Sequence, residues 1–287
     1  MSVRSILQQS YYNIEVIIVD DGSSDDTLLV AQNLVAGDPR VRVLHFAQNQ
    51  GAYAARNAAL KEAKGQFVTV HDADDFAHRQ KIERQVKPLL RNENLVFSIS
   101  DLVRVAADGT FARREVYPLQ RMNTSSLLFR RELVLRDCGD WEEKRYGADS
   151  EYLFRLRNRY PNDRWVRLRQ PLTFAAERSE SLTGLISTGG LGHPSDPRRI
   201  AYIEEYTQRL VRQGNMSRMA QVPPVMPNWA RLWRTRLLSA PTWCHQLLRT
   251  ATAPKSTRYA CTSLMLARSQ AVATVVGDRP VFYSRFL

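Results

Sequence analysis

Short apolar segments alternate with helical segments over the first 90 residues, and this alternation limits the possible folds more than any other feature. Residues 14–20, IEVIIVD, are a β-branched run typical of a strand buried on both faces. Similar runs lie at 41–46 and 66–72, and a segment with helical spacing follows each run, at 27–37, 52–65 and 79–90. This β-α-β-α-β-α order predicts an α/β fold in which helices flank a mostly parallel sheet.

The second half of the chain is less regular. Its sequence predicts strands at 95–105 and 125–133 and a helix at 148–160. A further strand is predicted at 165–177, and a charged helix at 198–213. Beyond these elements the sequence is rich in arginine and its hydrophobic periodicity is weak, so no further helices or strands are predicted.

Acidic clusters follow two of the predicted strands. Asp20 and Asp21 end the first strand, and Asp72, Asp74 and Asp75 follow the third. Because the carboxyl ends of parallel strands meet at one edge of a sheet, both clusters can face the same crevice. Alternating carboxylates suit Mg²⁺ or Mn²⁺, and such an ion can neutralise a diphosphate leaving group. The alternative, which stays open here, is that these acids form turns or cap helices.

The chain has a formal net charge of +12, and most of the excess lies near its end. Residues 220–287 carry nine Lys and Arg against one acid, Asp278. Basic segments bind anionic surfaces. Three interpretations remain open: contact with anionic lipid, a pair of partner-binding helices, or a poorly ordered tail without a selected function. Nucleic acid is not a predicted partner, because no nucleic-acid-binding motif is present.

The remaining composition excludes several classes of protein. The three cysteines, Cys138, Cys244 and Cys261, form no CxxC pair, which argues against a disulfide scaffold and a thiolate zinc site. No apolar run reaches the roughly 18 residues of a membrane span, and the first residues lack the apolar region of a signal peptide. We therefore expect a cytoplasmic protein, with peripheral contact at the inner face of the membrane through its basic end.

Three stretches of the chain, in order, are SILQQSYYNIEVIIVDDGSSDDT, NQGAYAARNAAL and GQFVTVHDADD. Together they resemble the nucleotide-binding half of a family 2 glycosyltransferase with the Rossmann-like GT-A fold. Their order and spacing match the family across residues 2–90, and a weaker resemblance continues to about residue 160. The resemblance implies a nucleotide-sugar-binding half at 1–95 and an acceptor-binding, catalytic half at 96–215. A basic extension would follow at 216–287.

The resemblance also implies roles for individual residues on the donor side. It assigns Asp20 and Asp21 to the acidic pair near the nucleotide base, and Arg56 to a basic residue near the donor. Asp72 corresponds to the ribose-side aspartate of the family's DxD motif, and Asp74 to its metal ligand. Mg²⁺ or Mn²⁺ is the implied cofactor.

On the acceptor side, Asp149 corresponds to the aspartate of the family's ED motif, a general base that deprotonates the acceptor hydroxyl. Ala148 stands in place of the family's glutamate, and a simple N-cap is the alternative role for Asp149. Related GT-A enzymes often add a late histidine as a metal ligand, and His193 is the candidate here; a solvated loop histidine is the alternative. Trp141 could stack on an acceptor sugar or pack in the core.

The implied reaction moves a sugar from a nucleotide-diphosphate donor, a UDP-sugar above all, to a hydroxyl of a glycan or lipid-linked acceptor. A base opposite the leaving group gives inversion. Bacterial surface polysaccharide synthesis is the implied setting.

The family has a central strand and a PxYN-like turn before the SILQQ helix, whereas this sequence begins inside that helix. Without that strand, two rows of backbone groups lose their partners. Either the strand lies upstream, another segment replaces it, or the chain is a damaged copy. The last case gives a second hypothesis: a non-catalytic GT-A remnant that binds partners.

Overall fold

The computed structural model describes residues 1–106, 109–111, 119–145, 147–176 and 197–212, and the backbone of two short strands at 274–276 and 281–282. These residues belong to one unit formed by 1–215 and 266–287. Most of the basic extension and His193 lie outside the described residues.

The helices and strands alternate through the first half of the chain and become irregular in the second. The helices are α1 (Ser2–Leu7), α2 (Thr27–Gly37), α3 (Ala52–Glu62), α4 (Lys81–Arg91), α5 (Arg131–Cys138), α6 (Ala148–Arg159) and α7 (Pro197–Arg212). The strands are β1 (Glu15–Asp21), β2 (Val41–Phe46), β3 (Phe67–Thr69), β4 (Asp75–Ala77), β5 (Phe97–Val105), β6 (Arg121–Met122), β7 (Leu128–Arg130), β8 (Trp165–Ala176), β9 (Thr274–Val276) and β10 (Val281–Phe282). Two 3-10 turns lie at Thr124–Ser126 and Asn162–Arg164.

The strands form one mixed sheet in the order β2-β1-β10-β3-β7-β5-β8-β4, with β6 paired to β5 and β9 to β3. The β1–β2, β1–β10, β10–β3 and β5–β8 pairs are parallel. β7 runs antiparallel to both of its neighbours, β3 and β5. The parallel arrangement predicted for the first half is therefore present, and the antiparallel pairs belong to the less regular second half.

β1 is buried on both faces, as its continuous apolar run predicts. Ile17 and Val19 pack in a cluster with residues of α3 and α6 on one side of the sheet. Val16 and Ile18 pack with residues of α1, α2 and α4 on the other side. Since neighbouring side chains of a strand point to opposite faces, this sequence fits only a strand covered by helices on both sides.

β10 lies between β1 and β3. Its residues Val281 and Phe282 pair in parallel with Glu15 and Val16, and Val281 also pairs with Val68. A segment near residue 280 thus pairs with strands from the first 70 residues.

One local prediction is wrong, and one short strand was not predicted. The predicted strand at 125–133 contains only Leu128–Arg130, because α5 begins at Arg131 with Glu132 in its first turn and ends before Gly139. β4 was not predicted, because it is three residues long and includes the last acid of the second cluster. It pairs antiparallel with β8 along the edge of the sheet. No helix among the described residues is long and apolar enough to cross a membrane.

Candidate functional site

The carboxyl ends of β1 and β3 lie at the same edge of the sheet, because both strands run parallel to β10. Asp21, at the end of β1, is fully buried. Its two carboxylate oxygens accept hydrogen bonds from the backbone N–H groups of Gln50 at 2.7 Å and Gly51 at 2.8 Å. Asp21 therefore fixes the loop that leads into α3.

This loop approaches the end of β1 closely. Gly22 has a φ of +72°, and a Cβ atom there would lie 2.8 Å from the backbone nitrogen of Asn49. The Asn49 side chain donates a hydrogen bond of 3.1 Å to the backbone carbonyl of Asp21. Glycine at position 22 is thus required both by the left-handed backbone and by the close approach.

Asp20 is buried and faces a different set of partners. Its carboxylate contacts the hydroxyl of Ser23 and lies 2.7 Å from Nδ1 of His45 on β2. Asp20 and Asp21 thus make contacts within the protein at the tip of β1. Their assignment to the nucleotide base stays a prediction.

Arg56 on α3 joins this helix to the second acidic cluster. Its Nη2 donates a hydrogen bond of 2.9 Å to Oδ1 of Asp72, and its guanidinium lies 4.9 Å from the centre of the Tyr53 ring. Burial alone would lower the pKa of Arg56, but the negative charges of Asp72 and Asp149 raise it above its ordinary value. Nε and Nη1 of Arg56 are buried and have no hydrogen-bond partner among the described residues. An anionic ligand could supply those partners.

The carboxylates of the second cluster lie close together. The pKa of Asp75 is raised well above its ordinary value, first by burial and then by the negative charges of Asp72 and Asp74. Lys81 lies near Asp75 and Asp72, but its own burial lowers its pKa to about 7. The raised pKa shows that the negative charges of these carboxylates oppose one another at this tip.

These oxygen donors fit a hard divalent cation. Within the described part of the chain, no group of three or more His, Cys, Asp and Glu side chains is arranged to hold a metal. Mg²⁺ is commonly bound through one or two carboxylates, with water and phosphate oxygens completing its shell. Asp74 with a neighbouring carboxylate therefore suits such an ion. The predicted ligand His193 lies outside the described residues.

Asp149 lies half-buried in the first turn of α6, where the helix dipole favours a negative charge. Its Oδ1 accepts hydrogen bonds from the Tyr53 hydroxyl at 2.9 Å and from the Ser150 backbone N–H at 3.0 Å. Its Oδ2 accepts one from the Thr124 hydroxyl at 2.7 Å. The N-cap of α6 is Gly147, with a φ of +84°, so the simple N-cap role considered for Asp149 is wrong.

The first two turns of α3 bring the predicted residues together. Tyr53 and Arg56 are three positions apart and so lie on one face of the helix. Tyr53 contacts Asp149 and Arg56 contacts Asp72, so the DxD aspartate and the predicted base meet the same helical face. Tyr53 and Thr124 were not predicted from the sequence as residues of the site. The i, i+3 spacing from Arg56 could have indicated Tyr53, but no sequence signal indicates Thr124.

Trp141 belongs to the core. It is 3% exposed, its ring lies 4.6 Å from that of Tyr152, and its backbone N–H and C=O both bond to the side chain of Asn57. The interpretation that Trp141 stacks on an acceptor sugar is wrong. The paired bonds instead explain why an amide follows Arg56: Asn57 anchors the segment before α6 to α3.

A mixed α/β sheet with acidic clusters at its carboxyl edge is typical of an α/β domain that binds its ligand beyond the ends of the strands. Residues 2–140 match the family described as glycosyl transferase family 2. The resemblance to this family seen in the sequence is therefore confirmed over residues 2–140.

Named relatives agree with the assignment. The chain is 38% identical over 109 residues to a putative teichuronic acid biosynthesis glycosyltransferase, TuaG, of Bacillus subtilis, covering 38% of this chain and 43% of TuaG. It is 40% identical over 91 residues to WfgD of Escherichia coli, a UDP-Glc:alpha-D-GlcNAc-diphosphoundecaprenol beta-1,3-glucosyltransferase, covering 32% and 35% of the two chains. The chain thus spans less than half the length of these curated relatives.

Solved structures support the fold. TarS 1–349 of S. aureus, crystallised in complex with UDP-GlcNAc, superposes with a TM-score of 0.51. The two chains are 17% identical, and the match covers 63% of this chain and 55% of TarS 1–349. At this level of identity the similarity establishes the GT-A fold alone.

Proposed function

We propose that this protein transfers a sugar from a nucleotide-diphosphate donor to an acceptor hydroxyl, with a divalent metal ion and with inversion at the anomeric carbon. The observation that carries this proposal is the shared face of α3. Arg56 holds Asp72 at 2.9 Å, and Tyr53 holds Asp149 at 2.9 Å. A donor-binding aspartate and a base must flank the same sugar, and this helix supports both.

On the donor side, Asp72 is assigned to the ribose and Asp74 to the metal. Mg²⁺ or Mn²⁺ bound there would neutralise the charge of the diphosphate leaving group. Arg56 adds a fixed positive charge beside Asp72, and its two unpartnered nitrogens can donate to a donor oxygen. Asp21 contributes by holding the start of α3 in place.

On the acceptor side, Asp149 is assigned as the general base. The acceptor oxygen forms a bond to the anomeric carbon as the bond from that carbon to the leaving phosphate oxygen breaks. Asp149 takes the hydroxyl proton, which keeps the charge balanced. Attack from the face opposite the leaving group inverts the anomeric centre.

The names of the relatives indicate the substrates. WfgD is named for a UDP-Glc donor and a diphosphoundecaprenol-linked acceptor, and TuaG for teichuronic acid biosynthesis. From these names we infer that this chain uses a UDP-sugar donor and a lipid-linked glycan acceptor in surface polysaccharide synthesis. The basic residues between 216 and 265 would then contact the anionic inner face of the membrane, whereas β9 and β10 belong to the sheet.

The competing hypothesis is a remnant that keeps the fold and binds partners without catalysis. Calorimetry of the full chain with UDP, with and without Mn²⁺, separates the two. The enzyme binds UDP in a metal-dependent manner, and Asp74→Ala removes that dependence. The matched control is Asp26→Ala, which alters an exposed aspartate with no capping bond. Wild-type protein that does not bind UDP in the presence of Mn²⁺ would contradict the proposal and favour the remnant.

A further inference from the structure

The carboxylate of Asp149 is held by hydroxyl groups from two separate elements. Tyr53 reaches Oδ1 from α3, and Thr124 reaches Oδ2 from the 3-10 turn Thr124–Ser126. In the sequence, Tyr53 lies 96 positions and Thr124 lies 25 positions before Asp149. Because each oxygen of the carboxylate accepts a hydrogen bond from a different element, the orientation of the carboxylate plane is fixed.

We propose that Tyr53 and Thr124 are positioning residues for Asp149, and that Oδ2 is the oxygen that takes the acceptor proton. The inference rests on the proposed function. A carboxylate offers about four lone-pair positions, two on each oxygen. Tyr53 and the Ser150 amide occupy both positions on Oδ1, whereas among the described residues Oδ2 accepts only from Thr124. One lone pair of Oδ2 is therefore open to an acceptor hydroxyl.

Tyr53 is a permanent donor in this arrangement. It is buried, and burial together with the negative charge of Asp149 raises the pKa of its phenol far above the ordinary value. The phenol therefore stays protonated at any physiological pH. The Arg56 guanidinium lies over the ring, so the ring is fixed by packing as well as by its hydroxyl.

Thr124 lies in a turn that hydrogen bonds hold against β5. The backbone N–H of Ser100, on β5, donates a hydrogen bond of 2.9 Å to the hydroxyl of Ser126 in this turn. The Asn123 backbone N–H donates to the Ser100 carbonyl at 2.9 Å, and the Asn123 side chain caps the turn through Ser125. The turn is thereby attached to the buried centre of the sheet, so Thr124 has little freedom to move away from Asp149.

The test compares Tyr53→Phe, Thr124→Val and Thr124→Ser in the full-length chain. Transfer from a UDP-sugar to a lipid-linked acceptor gives kcat, and calorimetry with UDP and Mn²⁺ gives donor affinity. Because misorientation of a base slows the chemical step, we expect kcat to fall about tenfold in Tyr53→Phe and in Thr124→Val. UDP affinity should stay within about twofold of wild type, and Thr124→Ser, which keeps the hydroxyl, should retain activity. Tyr12→Phe, at an exposed tyrosine, is the matched control.

A second comparison separates positioning from a general structural effect. If the two residues act through Asp149, then adding Tyr53→Phe or Thr124→Val to the Asp149→Asn variant should not lower its residual rate of transfer any further. An undiminished kcat in both variants, or an equal loss in the Asp149→Asn background, would overturn the inference. If Tyr53→Phe does not fold, the Thr124→Val and Thr124→Ser pair decides alone. Full turnover in Asp149→Asn itself would instead overturn the proposed function.

Discussion

The hydroxyl of Tyr53 lies 2.9 Å from Oδ1 of Asp149 and donates a hydrogen bond to it. Three positions further along the same helix, Arg56 pairs with Asp72. Two segments that are far apart in the chain, the DxD tip and the start of α6, are therefore attached to two turns of α3. The NQGAYAARNAAL motif thus has a structural role in this fold, because it sets the position of Asp72 relative to the start of α6.

Arg56→Lys should weaken donor binding although it keeps the positive charge. An ammonium group cannot both bond Asp72 and cover the Tyr53 ring as the planar guanidinium does. We expect the Kd for UDP in the presence of Mn²⁺ to rise about tenfold, as measured by calorimetry. Arg91→Lys, at an exposed position at the end of α4, is the control. An unchanged Kd in Arg56→Lys would remove Arg56 from the donor site.

Asp21→Asn should destabilise the fold. Both oxygens of the buried carboxylate accept backbone N–H groups, and an amide can accept at only one of the two positions. The free energy of unfolding should fall by about 2 to 3 kcal/mol in urea titrations, because one buried donor loses its partner. The exposed substitution Asp26→Asn should change it by less than about 0.5 kcal/mol. Equal stability of the two variants would contradict this account of Asp21.

His71 should make the protein sensitive to mild acid. Burial, and then the positive charge of Lys81, lower the pKa of His71 from 6.5 to about 3. Between those pH values the unfolded chain binds a proton that the folded chain does not, so stability falls as the pH decreases below about 6.5. For a single group the slope reaches about 1.4 kcal/mol per pH unit.

The matched variant is His71→Asn, which cannot take up that proton. Urea titrations at about pH 7 and about pH 5 should show a larger loss of stability in the wild type than in His71→Asn. Parallel pH dependences in the two proteins would mean that His71 titrates normally in the folded state.

Removal of residues 274–287 should weaken the sheet. β10 pairs in parallel with both β1 and β3, so its loss leaves backbone groups of two buried strands without partners. Each such group costs about 1 to 3 kcal/mol. Thermal denaturation should therefore show a lower Tm than for a chain that ends after residue 282, which keeps β10. A synthetic peptide of residues 274–287 should restore part of the difference, and identical Tm values would show that β10 contributes nothing.

Local elements followed closely from the sequence, whereas long-range pairings did not. The bounds of α2 and β2 equal those predicted, because Gly37 ends the helical spacing and the strand is a compact apolar run. The insertion of β10 between β1 and β3 depends on the sheet's unfilled backbone groups and leaves no local pattern. The place of Thr124 beside Asp149 likewise depends on how β5 and α6 meet, which no spacing in the chain reveals.

If Asp149 is the base for a sugar donor held at Asp72 and Asp74, its replacement should slow the chemical step and leave donor binding intact. The decisive measurement is the rate of sugar transfer from a UDP-sugar to a lipid-linked acceptor by Asp149→Asn, beside its affinity for UDP with Mn²⁺. We expect kcat to fall about a thousandfold with unchanged UDP affinity. A kcat within about twofold of wild type would contradict it.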